Sequence, residues 1–262
     1  MFGIGRKKRK VTLVLGGGSA RGLAHVGVLK VLERERIPID SIVGTSMGAL
    51  IGAAYSMGLP VKEMEGRASV FTLNRLLDPT IPSMGLLAGD KLESCIRELI
   101  DGKGFADCKI PVSIVATDIE TGDEIVYDGG GELIKIVRAT CSWPGIFNPV
   151  KVGGRLLCDG GIKNSVPAKI ARDRGADYIL AVDVGFCVKR GKIDNIFQMI
   201  LQSLQIIGEE LNNYQSDAAD AVIKVELPNI DQLAFNRGRD IIARGAEAAE
   251  AAIPRIKKDL RL

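Results

Sequence analysis

A serine sits between two glycines in Ile42-Val43-Gly44-Thr45-Ser46-Met47-Gly48-Ala49-Leu50, where an apolar strand gives way to an apolar helix. A turn that tight leaves no room for side chains beside it. Gly44 and Gly48 are therefore its required neighbours, and strand, turn and helix must follow one another without a break. Asp40-Ser41-Ile42-Val43 reads as the strand, and Ala49-Leu50-Ile51-Gly52-Ala53-Ala54-Tyr55 as a helix of small residues. That unit belongs to an α/β fold. The pentapeptide alone also occurs by chance, and a serine among glycines is often an ordinary turn or helix cap. Its flanks supply the strand, elbow and helix that a nucleophile needs, which makes Ser46 a candidate.

A second glycine element lies upstream. Lys10-Val11-Thr12-Leu13-Val14-Leu15 reads as a buried strand, and Gly16-Gly17-Gly18-Ser19-Ala20-Arg21-Gly22 opens a helix that runs on through Leu32. A glycine loop at a helix N-terminus presents unpaired backbone N–H groups, and the helix dipole favours negative charge there. Two kinds of anion fit. A dinucleotide pyrophosphate wants Gly-x-Gly-x-x-Gly, but counting from Gly16 the sixth place is Arg21, and counting from Gly17 the second glycine is Ser19. Asp40, about 20 residues on, suits the ribose-binding acid of that reading. The oxyanion of an acyl intermediate needs only two or so N–H donors near a nucleophile, and Ser46 lies one strand away.

A serine nucleophile needs a base. The one histidine, His25, precedes the serine, which rules out a triad in the order Ser, acid, His. It follows Arg21 by four residues and either orders the glycine loop or packs under the sheet; neither role is catalytic. A carboxylate remains, and position must choose among 32 acidic residues. Asp159 stands out in Gly153-Gly154-Arg155-Leu156-Leu157-Cys158-Asp159-Gly160-Gly161-Ile162, where a short apolar strand delivers an acid into a glycine turn. By spacing alone, an Asp-Gly hairpin turn is the stronger reading of that run. Asp118 and Asp183, each at the end of a buried strand, read as carboxylates that order loops.

Three blocks in this order resemble the signature of patatin-like phospholipases: Gly16 to Leu29, then Gly44-Thr45-Ser46-Met47-Gly48-Ala49, then Asp159-Gly160-Gly161. Within that family they are most similar to bacterial proteins related to the catalytic domain of neuropathy target esterase. A fourth block, Arg138 to Val150, resembles the segment that precedes the catalytic aspartate in these proteins. The resemblance implies a three-layer α/β fold with a largely parallel central sheet and helices on both faces. It implies an acyl hydrolase with a Ser46-Asp159 dyad, an oxyanion hole at Gly16, Gly17 and Gly18 with Arg21, a turn of Gly160 and Gly161 after the catalytic acid, and a lipid acyl-ester substrate of phospholipase A or lysophospholipase type. Two departures stand out. Ser19 replaces a glycine common in relatives, and Trp143 takes a place usually given to a smaller residue, where it either narrows an acyl channel or packs as core. A nucleotide-binding protein, or a non-catalytic lipid-binding protein on the same fold, are the alternatives.

Alternation of buried strands with helices organises the first 190 residues. Strands are expected near 11–15, 40–43, 110–117, 124–127, 155–158 and 178–184, and helices near 19–35, 47–57, 61–70, 89–100, 131–139 and 166–174. A long amphipathic helix from Asn195 to Ala219, a strand at 221–227 and an Ala-rich helix from Arg237 to Lys258 follow. Ile196, Phe197, Ile200, Leu201, Leu204 and Ile207 form a stripe that either roofs an acyl pocket or packs as core. The irregular apolar stretch between Ser69 and Gly89 is a candidate lid.

Composition narrows the class. At 262 residues with 46% hydrophobic content the chain can bury one large core, so residues 11–262 are expected to form one domain. The five basic residues Arg6, Lys7, Lys8, Arg9 and Lys10 make residues 1–10 a basic tail, without which the net charge of +3 becomes −2. Such a tail can touch anionic lipid head groups weakly. Aromatic residues are 5% and no recognition motif appears, so nucleic acid is not a partner. The five cysteines contain no C-x-x-C pair, which points to reduced thiols. No cluster has metal-ligand spacing; neither metal nor cofactor is implied. No secretory signal and no apolar run of about 18 residues is present, so a cytoplasmic protein, with peripheral contact at the inner membrane surface, is expected. The sequence leaves the oligomeric state open.

Overall fold

The computed structural model of the chain describes residues 9–81, 84–185 and 192–262, with all side chains in these stretches but those of Phe197, Leu201 and Asn213. The first half runs β1 (Val11–Leu15), α1 (Ala24–Arg34), β2 (Ser41–Thr45), α2 (Met47–Ser56), α3 (Val61–Ser69), β3 (Gly85–Leu87), α4 (Asp90–Leu99), β4 (Val112–Asp118) and β5 (Glu124–Tyr127). The second runs α5 (Leu133–Thr140), β6 (Gly145–Phe147), β7 (Val150–Val152), β8 (Arg155–Asp159), α6 (Ala168–Asp173), β9 (Tyr178–Asp183), α7 (Ile196–Gln215), β10 (Ala221–Lys224) and α8 (Gly238–Leu260). The main sheet has the order β10-β9-β1-β2-β4-β8-β7, with β5 also paired to β4, and β3 and β6 form a separate parallel pair.

The centre of the sheet is parallel, as the alternation of strands and helices requires. Its other side is antiparallel: β4 pairs in opposite sense with β5 and β8, and β8 with β7. Gly153 and Gly154 reverse the chain between β7 and β8 in a two-residue turn with φ of 57° and 81°. Positive φ at both positions gives the turn that suits the twist of a hairpin, and only glycine adopts it without strain. The hairpin therefore lies before β8, and Asp159-Gly160, read above as a hairpin turn, instead leads into a 3-10 turn over Gly160–Ile162.

Strand residues alternate between two cores. Leu13 and Leu15 of β1, with Tyr178, Leu180 and Val182 of β9, face α1, α2 and α8. Val14, with Ile179 and Ala181, faces Ala168, Ile170 and Ala171 on and beside α6. Covering both faces is why these strands read as unbroken apolar runs. On the first face α1 and α8 cross at very short range: a Cβ on Gly27 would strike Ile242 O, and one on Gly245 would strike Ala24 O. Ile242, Gly245, Ala249, Ile253 and Ile256 line that side of α8 at the three- and four-residue spacing of a helix face.

The strands and helices expected from sequence form at their places, with two differences. The helix expected near 19–35 begins as a 3-10 turn, Ser19–Leu23, because Ser19 has a φ of 48°, which no α-helix accepts. The short strands β3, β6 and β7 lack the length that would make them visible as periodicity. No helix among the described residues is long and apolar enough to cross a membrane. Arg6, Lys7 and Lys8 of the basic tail, and Cys187, lie outside the described residues; Cys95, Cys108, Cys141 and Cys158 are free thiols.

Candidate active site

Ser46 follows β2 directly and caps α2 with φ 53° and ψ −126°, a conformation strained for a residue with a Cβ. The strain is imposed by contact. A Cβ on Gly48 would strike Leu15 O, and one on Gly44 would come within 2.6 Å of Ala49 Cα, so strand and helix can meet this closely only through glycine. The Ser46 N–H donates to Thr140 Oγ1 at 2.9 Å, and the Thr140 hydroxyl donates in turn to Val115 O. Serine, α5 and β4 are thus fixed to one another, with the positive end of the α2 dipole beneath the hydroxyl.

Asp159 reaches the same point from the other direction. On one edge of β4, Thr45 pairs with Val115 and Asp159 with Ala116, so β2 and β8 meet head to head. The Ser46 hydroxyl donates to Asp159 Oδ2 at 2.7 Å, and the Gly161 N–H donates to Oδ1 at 2.8 Å. Gly160 packs its Cα against Val115 O, leaving no room for a Cβ. Asp159 is 2% exposed. Burial raises its carboxyl from 3.8 to about 7, against the opposing pull of the Ser46 and Gly161 hydrogen bonds. The pair has the reach and basicity for proton transfer from a serine near neutral pH.

The glycine loop lies across from them, and here the sequence expectation shifts by one or two residues. Gly16 donates its N–H to Val182 O at 3.1 Å and Gly17 its N–H to Ser165 O at 3.0 Å, so these two amides already serve the fold. Among the described residues, the amides of Gly18 and Ser19 and of Met47, at the start of α2, have no such acceptor, and all three residues line the cavity above Ser46 and Asp159. Arg21 is likewise tied into the fold. Its Nε donates to Val184 O and Gly185 O, its Nη1 to Leu227 O and Ile230 O, and its Nη2 to Val184 O at 2.7 Å. A buried guanidinium forked onto carbonyls ties the loop to β9 and to the segment after β10. His25, fully buried, donates from Nε2 to Gly16 O at 2.7 Å; burial lowers its pKa to about 4, so it stays neutral and holds the loop.

A cavity of about 700 Å3 opens over Ser46 and Asp159. Its lining is mostly apolar, with Leu50, Leu76, Leu92, Trp143, Phe147 and Phe235 contributing. A model of the patatin-like phospholipase family matches residues 13–172. The chain belongs to the patatin-like phospholipase family, a family of lipid ester hydrolases. Patatin-like phospholipase domain-containing protein 6 of Mus musculus is 37% identical over 183 residues, 67% of this chain and 13% of that protein. An uncharacterised NTE family protein of Mycobacterium tuberculosis is 35% identical over 182 residues, 69% of this chain and 50% of that protein. The chain thus spans no more than half the length of either relative. The lysophospholipase of Debaryomyces hansenii is 34% identical over 181 residues, 67% of this chain and 12% of its own. Among solved structures, VipD from Legionella pneumophila shares the fold with a TM-score of 0.60 at 12% identity, over 94% of this chain and 67% of that one.

The patatin-like fold also sorts the remaining candidates. Asp183 accepts from Gly185 N and from Asn212 Nδ2, and Asp118 from Glu120 N and Arg155, so both order loops. Asp40 accepts from Val11 N, at the start of β1 and so at the opposite end of that strand from the glycine loop. It is out of reach of a nucleotide bound there. Trp143 lines the cavity rather than the core. Leu76 makes the 69–89 stretch a cavity wall, pinned by the β3–β6 pairing and by Arg138, which donates to Ala88 O, Gly89 O and Asn148 O; Pro82 lies outside the described residues. Of the α7 stripe, Ile196, Ile200 and Ile207 face solvent and Leu204 is half-buried, while Gln198, Gln202 and Gln205 line the cavity; the side chains of Phe197 and Leu201 lie outside the described residues. Thr140 and Cys141, not singled out by sequence, stand beside Ser46, where burial holds the Cys141 thiol well above its usual range.

Proposed function

We propose that this chain is a serine acyl-ester hydrolase of phospholipase A or lysophospholipase type. One observation carries the reading: a strained, buried serine at the tip of a strand-to-helix elbow, with its hydroxyl 2.7 Å from a carboxylate whose pKa is about 7. Ser46 Oγ attacks the ester carbonyl as Asp159 takes its proton. The Gly18, Ser19 and Met47 amides stabilise the oxyanion, with α2 adding its dipole. Collapse of the tetrahedral intermediate breaks the ester bond, Asp159 gives the proton to the leaving alcohol, and an acyl group remains on Ser46. Asp159 then takes a proton from a water that attacks the acyl carbonyl, and returns it to Ser46 Oγ as the acyl–serine bond breaks and the fatty acid leaves.

The cavity supports an acyl-chain substrate, since its walls are mainly apolar and its volume lies in the usual range for ligand pockets, about 300–1,000 Å3. The lysophospholipase name of one relative supports the same class. In this reading residues 11–262 work as one domain in the cytoplasm. The tail before them contributes weak attraction to anionic membranes, and it joins the body at Lys10, at the N-terminal end of β1 and away from the dyad. Fatty-acid release from lysophospholipid, phospholipid and acylglycerol, compared between the wild type and Ser46→Ala, tests the reading. Release lost on substitution supports it. A folded wild type that binds lipid yet releases no fatty acid from any of them points to a non-catalytic lipid-binding protein.

A further inference from the structure

Helix α7 is inverted relative to an ordinary surface helix. At about 100° per residue, Ile196, Met199, Ile200, Ile206, Ile207, Leu211 and Tyr214 fall on one side. That side is in solvent, with Ile196 77%, Ile200 53% and Ile207 56% exposed. Gln198, Gln202 and Gln205 turn the other way and line the cavity, where the Gln205 Oε1 is buried and has no hydrogen-bond partner among the described residues. Polar contacts hold the C-terminal end: Asn212 Nδ2 donates to Asp183, and Gln215 accepts from Ser165 N and Val166 N and donates to Lys163 O. The apolar side is therefore held outward by the anchoring of the polar one.

We propose that the outer face of α7 docks on a lipid bilayer, setting the cavity mouth against the membrane so that a lipid enters without crossing water. The proposal rests on the hydrolase reading given above and adds where its substrate comes from. Three observations favour a lipid surface over a second copy of the chain. The face is continuous with the mouth, since Lys192 and Ile193 immediately before the helix line the cavity, as does half-exposed Leu233. The run from Lys189 to Asp194, just before the helix in sequence, holds Lys189, Arg190 and Lys192 against one acid, Asp194, and this net positive charge is the sign that anionic head groups attract. From Asn195 to Gly208 there is no charged residue, and acids come only at Glu209 and Glu210. A large apolar face that follows a net positive segment in sequence is the pattern of a helix that lies in a membrane interface.

The test uses Ser46→Ala protein, so that vesicles survive, with and without Ile196→Gln, Ile200→Gln and Ile207→Gln. Glutamine keeps helix propensity while removing apolar area. Sedimentation with phosphatidylcholine vesicles, pure or mixed with phosphatidylglycerol, is expected to show binding that is stronger on the anionic mixture and falls at least about tenfold in the triple substitution. With Ser46 restored, the triple variant should still cleave a short-chain soluble ester but lose hydrolysis of vesicle lipid. Equal vesicle binding with and without the three substitutions overturns the proposal. So does light scattering that finds a dimer made monomeric by them, which would assign the face to a second copy. Face-dependent vesicle binding by a wild type that cleaves neither ester leaves docking standing and removes the hydrolase reading instead.

Discussion

Thr45 and Asp159 sit opposite consecutive residues of one strand, Thr45 beside Val115 and Asp159 beside Ala116. Two strands approaching from opposite directions share one edge of β4, and the Ser46–Asp159 hydrogen bond is made where their ends meet. The dyad is thus a consequence of sheet register, held by backbone pairing on β4 rather than by a mobile loop. Any change that shifts β8 by one residue would turn Asp159 to the other face of the sheet and abolish the pair.

The pKa of Asp159 sets a pH dependence. The carboxylate form is the base, so kcat/KM on a soluble ester should rise with pH through an inflection near 7. Stability should move the opposite way. Because the folded pKa lies above the unfolded 3.8, the folded state holds the proton more tightly, and stability falls as pH rises between about 4 and 7. Asp159→Asn should therefore be inactive yet raise Tm at pH 8 by on the order of 5 °C, with little change at pH 4. Thermal melts of the two proteins across pH check the sign; a variant less stable than wild type at pH 8 contradicts it.

Thr140 is expected to position the nucleophile. Replacing it with valine leaves the Ser46 N–H without its acceptor, at a cost of about 1–3 kcal/mol in stability. Displacement of the elbow should lower kcat by about tenfold or more, with KM nearly unchanged. Thr140→Ser, which keeps the hydroxyl, should restore both. A serine variant as slow as the valine one would mean that the methyl group matters and the hydrogen bond does not.

Ser19 holds a left-handed backbone conformation that costs a residue with a Cβ about 1–2 kcal/mol. Ser19→Gly should relieve part of that strain and raise stability by a few tenths to about 1 kcal/mol, while the amide at position 19 stays available and ester cleavage is kept. Chemical denaturation measures the change. Loss of activity in the glycine variant would show that the serine side chain contributes directly.

Arg21 separates two roles for the glycine loop. As the anchor described here, its replacement by lysine should fail to rescue, since an ammonium cannot fork onto Val184 O, Leu227 O and Ile230 O together. Both Arg21→Lys and Arg21→Gln should lower Tm and kcat together. A fall in kcat with Tm intact would place the guanidinium at the oxyanion instead.

The elements that carry the site could be read from the chain because each has a local cause. Gly44 and Gly48 mark the elbow, the apolar runs mark β1, β2, β4 and β9, and the order of the glycine and aspartate blocks matches the family. Strand direction was less legible. The Gly153-Gly154 pair, where the hairpin forms, is a hairpin signal by the ordinary rule for two-residue turns, whereas Asp159-Gly160 is the only place where a hairpin is read from the sequence above. Which loop amides are free could not be read at all. Gly16 and Gly17 lose theirs to Val182 and Ser165, carbonyls more than a hundred residues away that only the sheet brings near. The α7 stripe had the right period, yet its Ile196, Ile200 and Ile207 face solvent, since periodicity gives a face and says nothing of what it meets.

The central claim is that Ser46 is a nucleophile activated by Asp159. Peptide mapping and intact mass after exposure to a fluorophosphonate ester test it most directly, on the wild type and on Asp159→Asn, because that reagent modifies only an activated serine. The account predicts a single adduct on Ser46 in the wild type and its loss or marked slowing in the variant. A folded wild type that takes no adduct, or one that Asp159→Asn takes up at the same rate, would contradict it.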